Sequence, residues 1–213
     1  MANLILVDSD VILKLFAYHQ AHFIVEEIEG APAAMLSVAR FVIRKRIGNY
    51  VNDTNDPGLL ETLEPLLSAL VQIEPAPDEI DLAAQLEEAA IKDGLDLDVG
   101  EAQLLAVMVT RKADLLLTGD KRAVIAINRC LPAPAQHRIV CLEQIIATIL
   151  QAVDYNELRD RVCAKPDVDR ALTACFSCYS PDVQSEDILQ GLSSYCRDLR
   201  RKSGNSLIEA DRM

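Results

Sequence analysis

The chain has 213 residues, half of them hydrophobic and a quarter charged, a composition that argues against disordered or fibrous classes and suffices to bury a real core. Acids outnumber bases 33 to 21, giving a formal net charge of -12, which argues against a protein that coats nucleic acid or an anionic membrane by bulk charge. Aromatic residues make up 4% with no Trp, so a single-strand binder built on stacking platforms is also disfavoured.

Four apolar runs read as buried parallel strands: Leu4-Ile5-Leu6-Val7, Ala34-Met35-Leu36-Ser37-Val38, Leu115-Leu116-Leu117 and Arg138-Ile139-Val140-Cys141-Leu142. Each is followed by helical spacing, at Val11 to Phe16, Phe41 to Ile47, Ala123 to Ile127 and Ile145 to Leu150. This alternation predicts a three-layer α/β/α architecture with a central, mostly parallel sheet. Between the second and third runs the pattern predicts helices over Pro57 to Val71, Asp78 to Lys92 and Val99 to Arg111, the first two separated by Pro75 and Pro77.

The strand pattern stops near residue 152, so the sequence divides into an α/β domain over 1–152 and a helical extension over 153–213. Helices are predicted over Asp154 to Ala164, Asp167 to Cys178 and Ser185 to Arg201, with the last dozen residues a fraying tail. Most of the acidic excess lies in the first part. No apolar stretch approaches the length of a membrane span, and Met1-Ala2-Asn3-Leu4 lacks the basic start of a signal peptide, so the expected compartment is the cytoplasm.

In open parallel sheets, ligands bind at the carboxyl ends of the strands. Asp8 follows the first run, with Asp10 two residues later; Asp120 follows the third by way of Thr118-Gly119; Glu101 lies in the first turn of the helix from Val99, with Asp96 and Asp98 just upstream. Carboxylates converging at one sheet edge repel each other, and a hard cation such as Mg²⁺ or Mn²⁺ is the natural compensating charge. Such an ion polarises a phosphoryl oxygen and lowers the pKa of bound water, the chemistry of hydrolytic nucleases. An Asp directly after a strand is equally a common helix N-cap, and Asp8, Asp98 and Asp120 each admit that reading.

Taken together, Leu6-Val7-Asp8-Ser9-Asp10-Val11-Ile12-Leu13, Gly100-Glu101-Ala102 with Leu105-Ala106, and Leu116-Leu117-Thr118-Gly119-Asp120-Lys121-Arg122-Ala123 resemble the PIN-domain family in order and spacing, over about residues 3 to 150. The resemblance implies an α/β/α fold and Mg²⁺- or Mn²⁺-dependent ribonuclease activity, the activity of toxins in many bacterial toxin–antitoxin pairs. RNA is then the implied substrate and an antitoxin-like protein or a second copy in a homodimer the implied partner. Asp8, Glu101 and Asp120 would be the catalytic metal-binding acids, Asp10 a supporting contact, and Thr118 the residue that orients the Asp120 loop. The family usually carries a Glu near the start of the helix after the second strand, where this chain has Arg40. An Arg there would fork onto Asp8 and Asp120 and neutralise the pocket, with Asp98 a substitute ligand. The chain would then be a catalytically degenerate binding or regulatory module.

Positive charge for phosphates is available at Arg44-Lys45-Arg46 with Arg40, and at Lys121-Arg122; the former equally reads as a solvated helix end. His19, His22 and His137 lack metal-ligand spacing, and there is no Gly-x-Ser-x-Gly elbow or phosphate-cradling Gly-rich loop. The first motif also looks like that of haloacid-dehalogenase-type phosphatases, with Asp8 as nucleophile and Asp10 as general acid, but no second acid follows Asp120 closely. The six cysteines are expected as reduced thiols. Cys163, Cys175, Cys178 and Cys196 could be drawn as a zinc site, though helical spacing around Cys175 and Cys178 favours core thiols.

Overall fold

The structure, a computed structural model, describes residues 4–26, 31–54, 58–131 and 133–209. Strand β1 (Ile5–Val7) leads into α1 (Ser9–Ala17) and α2 (Phe23–Glu26), and β2 (Ala33–Leu36) into α3 (Ala39–Thr54) and α4 (Gly58–Ala69). Next come β3 (Val71–Ile73), α5 (Pro77–Lys92), α6 (Val99–Arg111), β4 (Leu115–Thr118), α7 (Lys121–Cys130), β5 (Ile139–Cys141) and α8 (Leu142–Ala152). The chain continues through α9 (Tyr155–Cys163), α10 (Arg170–Cys175) and α11 (Ser185–Ser203). Among the described residues no helix is long and apolar enough to cross a membrane.

All strands run parallel in the order β3-β2-β1-β4-β5, with Ile5 opposite Ala33 on one side and Val7 opposite Leu117 on the other. Because side chains alternate along a strand, the sheet feeds two cores. Ile5, Val7, Met35, Leu117 and Val140 pack with apolar residues of α1, α3, α4 and α8. Leu6, Ala34, Leu36, Leu116 and Ile139 pack on the opposite face with α5, α6 and α7. The three-layer α/β/α architecture predicted from the apolar runs is therefore present, with a fifth strand beyond the four expected.

That fifth strand corrects the predicted helix from Pro57 to Val71. Its start at Pro57 lies outside the described residues, and its far end, Val71, opens β3. Val71 and Gln72 are exposed and only Ile73 is buried, so this edge strand carries none of the apolar signal that marks the interior ones.

The C-terminal segment also departs from expectation. Residues 205–208 do not fray: Ser206, Leu207 and Ile208 are buried. The Ile208 N–H donates to the Ile139 carbonyl at 2.9 Å, and Leu207 forms a parallel bridge with Ile139 at the edge of β5. Gln144 and Arg200 both donate to the Ile208 carbonyl. Residues 210–213 lie outside the described residues. Helices α9 to α11 place Leu158, Val162, Leu172, Phe176, Ile188 and Leu192 in the same core as α1 and α8, and Leu199 reaches the other core.

The cysteines correct a second expectation. Cys163 and Cys178 are joined by a disulfide, so they are neither reduced nor available to the four-thiolate site. Helix α10 stops at Cys175, and Ser177 takes a positive φ of 47°, so Cys178 leaves the helical spacing and turns toward α9. Cys175 is a free, buried thiol.

Candidate functional site

The strand order reverses between β1 and β4: the chain moves outward through β2 and β3 on one side, then returns to add β4 and β5 on the other. At such a switch point the loops after the two strands splay apart and leave a crevice. The Asp8 N–H donates to the Leu117 carbonyl at 2.9 Å, which fixes the ends of β1 and β4 side by side. Asp8 occupies the N-cap position of α1, yet its side chain makes no capping hydrogen bond. It is buried instead, 9% exposed. The Thr118 hydroxyl lies 3.4 Å from Asp8 Oδ2 and accepts from the Asp120 N–H at 3.2 Å. Thr118 thus ties the two acid-bearing strand ends together.

Gly119 has to be small. A Cβ there would stand 2.4 Å from Asp10 Oδ2 and 3.3 Å from Lys14 Nζ. The crevice wall is completed by the first turn of α6. Asp98 caps that helix: its Oδ1 accepts from the Glu101 N–H at 2.8 Å, and Glu101 Oε2 accepts from the Asp98 N–H at 2.9 Å. This reciprocal box holds Glu101 inward at 7% exposure. Asp96, Leu97, Asp98, Glu101, Asp120 and Arg122 line an open cavity of about 230 Å³.

Burial pushes the Asp8 carboxyl up to about 6, with the neighbouring Asp10 and Asp98 charges adding to it. Burial likewise raises Glu101 to about 8, and Asp98, Asp8 and Asp120 each add repulsion. Asp8, Asp98, Glu101 and Asp120 therefore share one electrostatic environment, which Asp10 also reaches. Asp120 differs: burial pushes it up, but the Arg122 guanidinium and the N–H groups of Arg122 and Ala123 outweigh that and hold it below the usual range.

Arg122 takes only the Asp120 half of the role expected of Arg40. Its Nη2 lies 2.9 Å from Asp120 Oδ2, and its Nη1 lies 3.3 Å from Asp96 Oδ2. Arg40 pairs instead with Glu64 of α4 at 3.7 Å, and Arg44 forks onto that same carboxylate at 2.6 and 2.5 Å. Glu64 draws both cations toward the helix pair α3 and α4, so the expected clamp of Arg40 on Asp8 and Asp120 is not formed. Lys45 and Arg46 are exposed on α3.

Asp10 and Lys121 belong to a second charged group behind the crevice. Lys14 Nζ lies 2.7 Å from Asp10 and 2.9 Å from Asp169, and Lys121 Nζ lies 2.9 Å from Asp169 and 3.1 Å from Glu143. Asp169 and Glu143 are buried. Lys121 is thus engaged by carboxylates rather than presented to a phosphate, and Asp10 carries a charge paired with Lys14. Lys14, Glu143 and Asp169 were not singled out from the sequence. Glu143 carries a signal in the sequence: it follows the fourth apolar run at the carboxyl end of β5, the same place relative to its strand as Asp8 and Asp120 hold to theirs. Asp169 reads only as an N-cap for α10, which it also is, accepting from the Ala171 and Leu172 N–H groups.

Asp8, Glu101, Asp98 and Asp120 supply only oxygen donors, the set a hard divalent cation takes. Asp8 and Glu101 form no ion pair among the described residues; Arg122 reaches Glu101 only through its field, and both carboxyls hold their protons to higher pH than free ones do. Among the described residues no three His, Cys, Asp or Glu side chains already converge as a metal-binding group: Asp120 is taken by Arg122 and Asp98 by the α6 N-terminus. The chemistry of the donors fits the ion; closing on it requires Arg122 to let go of Asp120. No protein-family model matches the chain, and no curated protein matches it in sequence.

Proposed function

We propose that the protein is a PIN-like, Mg²⁺- or Mn²⁺-dependent ribonuclease acting at the crevice between β1 and β4. The observation that carries this reading is the pair of buried carboxyls, Asp8 and Glu101, both without an ion-pair partner among the described residues and delivered by separate elements to the topological switch point. Burying two unpaired acids near each other costs stability, and a site that binds a cation is the economical reason to keep them. Asp8, Glu101 and Asp120 would hold the ion, with Asp98 next to them; when bound, it supplies an activated water and polarises the phosphoryl oxygen. Thr118 holds the Asp8 carboxylate and the Asp120 loop in register. Arg122, 70% exposed on its side chain, can swing from Asp120 to an incoming phosphate, which would free the acid and position the substrate in one movement.

The bridge from Asp120 through Arg122 to Asp96 favours a second reading, a degenerate module whose pocket is closed by its own arginine. Incubating structured and single-stranded RNA with the protein, in Mn²⁺ or EDTA, separates the two. Metal-dependent cleavage lost in both Asp8→Asn and Asp120→Asn supports the nuclease. No cleavage by the parent supports the module. The phosphatase reading fits less well, because Asp10, its general acid, is held by Lys14 at 2.7 Å rather than turned to a substrate.

A further inference from the structure

On the far side of α8 from the acids, α8 and α11 enclose a cleft of about 290 Å³ lined by Gln144, Gln151, Ser193, Cys196, Arg197 and Arg200, among others. Cys196 is half-buried in its wall. Its Sγ lies 3.8 Å from Sγ of Cys141, the last residue of β5, which is buried. Two free thiols in van der Waals contact, one reachable from a cleft and one behind it, have the arrangement of an attacking and a resolving cysteine. Surrounding charges support the division. The Cys141 thiol hydrogen-bonds Cys196 and holds its thiol below the usual value, with Arg200 adding to this against burial and Glu143. The same contact and complete burial hold Cys141 above its usual value. Arg200 is committed to the Ile208 carbonyl, whereas Arg197 is exposed and pairs with no acid among the described residues.

We propose that Cys196 and Cys141 form a thiol–disulfide exchange site whose substrate is an anionic low-molecular-weight disulfide, guided into the α8–α11 cleft by Arg197. The Cys196 thiolate attacks one sulfur of the disulfide, forming a protein mixed disulfide and expelling one thiolate. Cys141 then attacks Cys196 Sγ, its proton passing to the departing sulfur, so that the Cys141–Cys196 disulfide forms and the second half of the small disulfide leaves as a thiol. The protein dithiol is oxidised by two electrons and the small disulfide is reduced to two thiols. The product would tether α11 to the end of β5. Cys175, also buried, is charge-coupled to Cys196 but sits apart from the cleft lining.

The test treats the full chain with oxidised glutathione and maps cysteines by peptide mass spectrometry without reduction, the Cys163–Cys178 linkage serving as internal reference. The parent should yield a Cys141–Cys196 cross-linked peptide, and Cys141→Ser should accumulate one glutathionyl group on Cys196. Arg197→Ala should slow the reaction with oxidised glutathione by about tenfold and leave that with uncharged hydroxyethyl disulfide unchanged. The proposal is overturned if the parent forms no Cys141–Cys196 cross-link, or if modification falls on Cys130 or Cys175 in its place. Equal slowing of both disulfides by Arg197→Ala would overturn the anionic preference. Cross-linking is read in the parent, so a misfolded variant does not obscure the outcome.

Discussion

Arg122 lays its guanidinium on the Asp120 carboxylate, Nη2 to Oδ2 2.9 Å, and reaches across the crevice to Asp96 at 3.3 Å. The arginine two residues after the acid, rather than the one at the start of α3, sets the charge of the pocket. Arg122 and Asp96 are largely solvent-exposed and Asp120 is partly so, so the bridge itself contributes little to stability. Its removal should matter at the site instead. Arg122→Ala is expected to tighten Mn²⁺ binding by about tenfold, since a cation no longer competes for Asp120, while changing the unfolding free energy by less than about 0.5 kcal/mol. Calorimetric titration and urea unfolding check the two halves.

The buried acids give stability a characteristic pH dependence. Asp8 titrates near 6 in the fold against 3.8 unfolded, and Glu101 near 8 against 4.5. A raised pKa means the folded state holds protons that the unfolded state releases, so this stability is complete below about pH 4 and is lost as pH rises to about 8. For Asp8 alone the shift from 3.8 to about 6 corresponds to about 3 kcal/mol by pH 8. Metal-free protein should therefore unfold at lower urea at pH 8 than at pH 5. Asp8→Asn should flatten the slope, and Mn²⁺ at a hundredfold excess over its dissociation constant should restore about 2.7 kcal/mol at pH 8.

The second charged group should behave as a structural unit. Lys121 is the cation within 3.1 Å of Glu143, a carboxylate with no exposed surface. Lys121→Ala is expected to cost about 3–5 kcal/mol because it strands a buried charge. Combining it with Glu143→Leu should recover most of that loss; a Lys121 that served only to bind phosphate would instead leave the single variant as stable as the parent. Thermal unfolding of the four members of the cycle decides.

Gly119→Ala tests the close packing between the site and this group. The added Cβ would meet Asp10 Oδ2 at 2.4 Å, so the carboxylate has to move and its 2.7 Å pair with Lys14 loosens. The expected cost is about 1–3 kcal/mol, measured by urea unfolding, with RNA cleavage reduced through displacement of the Asp120 loop.

Interior strands and the acids at their ends were legible in the sequence for the same reason. A parallel strand covered on both faces reads as an uninterrupted apolar run, and the first polar residue after it marks the sheet edge where ligands gather. The choice at Asp8 between cap and site was not legible, since both begin with an Asp before a helix. It turned on whether the carboxylate is spent on the α1 N-terminus or also faces Thr118 and the neighbouring acids. Edge strand β3 was hidden because two of its three residues face solvent. Arg40 was misplaced because α3 offers its cations a carboxylate, Glu64, from a helix twenty-odd residues later, and spacing along one helix does not reveal such a partner. Asp169 was hidden for a similar reason: its pairing with Lys14 and Lys121 exists only once the C-terminal helices pack on the sheet.

The central claim is that the switch-point acids hold a divalent cation. Isothermal titration of Mn²⁺ into the metal-free protein tests it most directly, with Asp8→Asn and Glu101→Gln as comparisons. A single saturable site is expected in the parent and lost in both variants, with proton release near neutral pH as the raised carboxyls ionise. Absence of saturable Mn²⁺ binding in the parent and in Arg122→Ala alike, or binding that survives both acid substitutions, would contradict it.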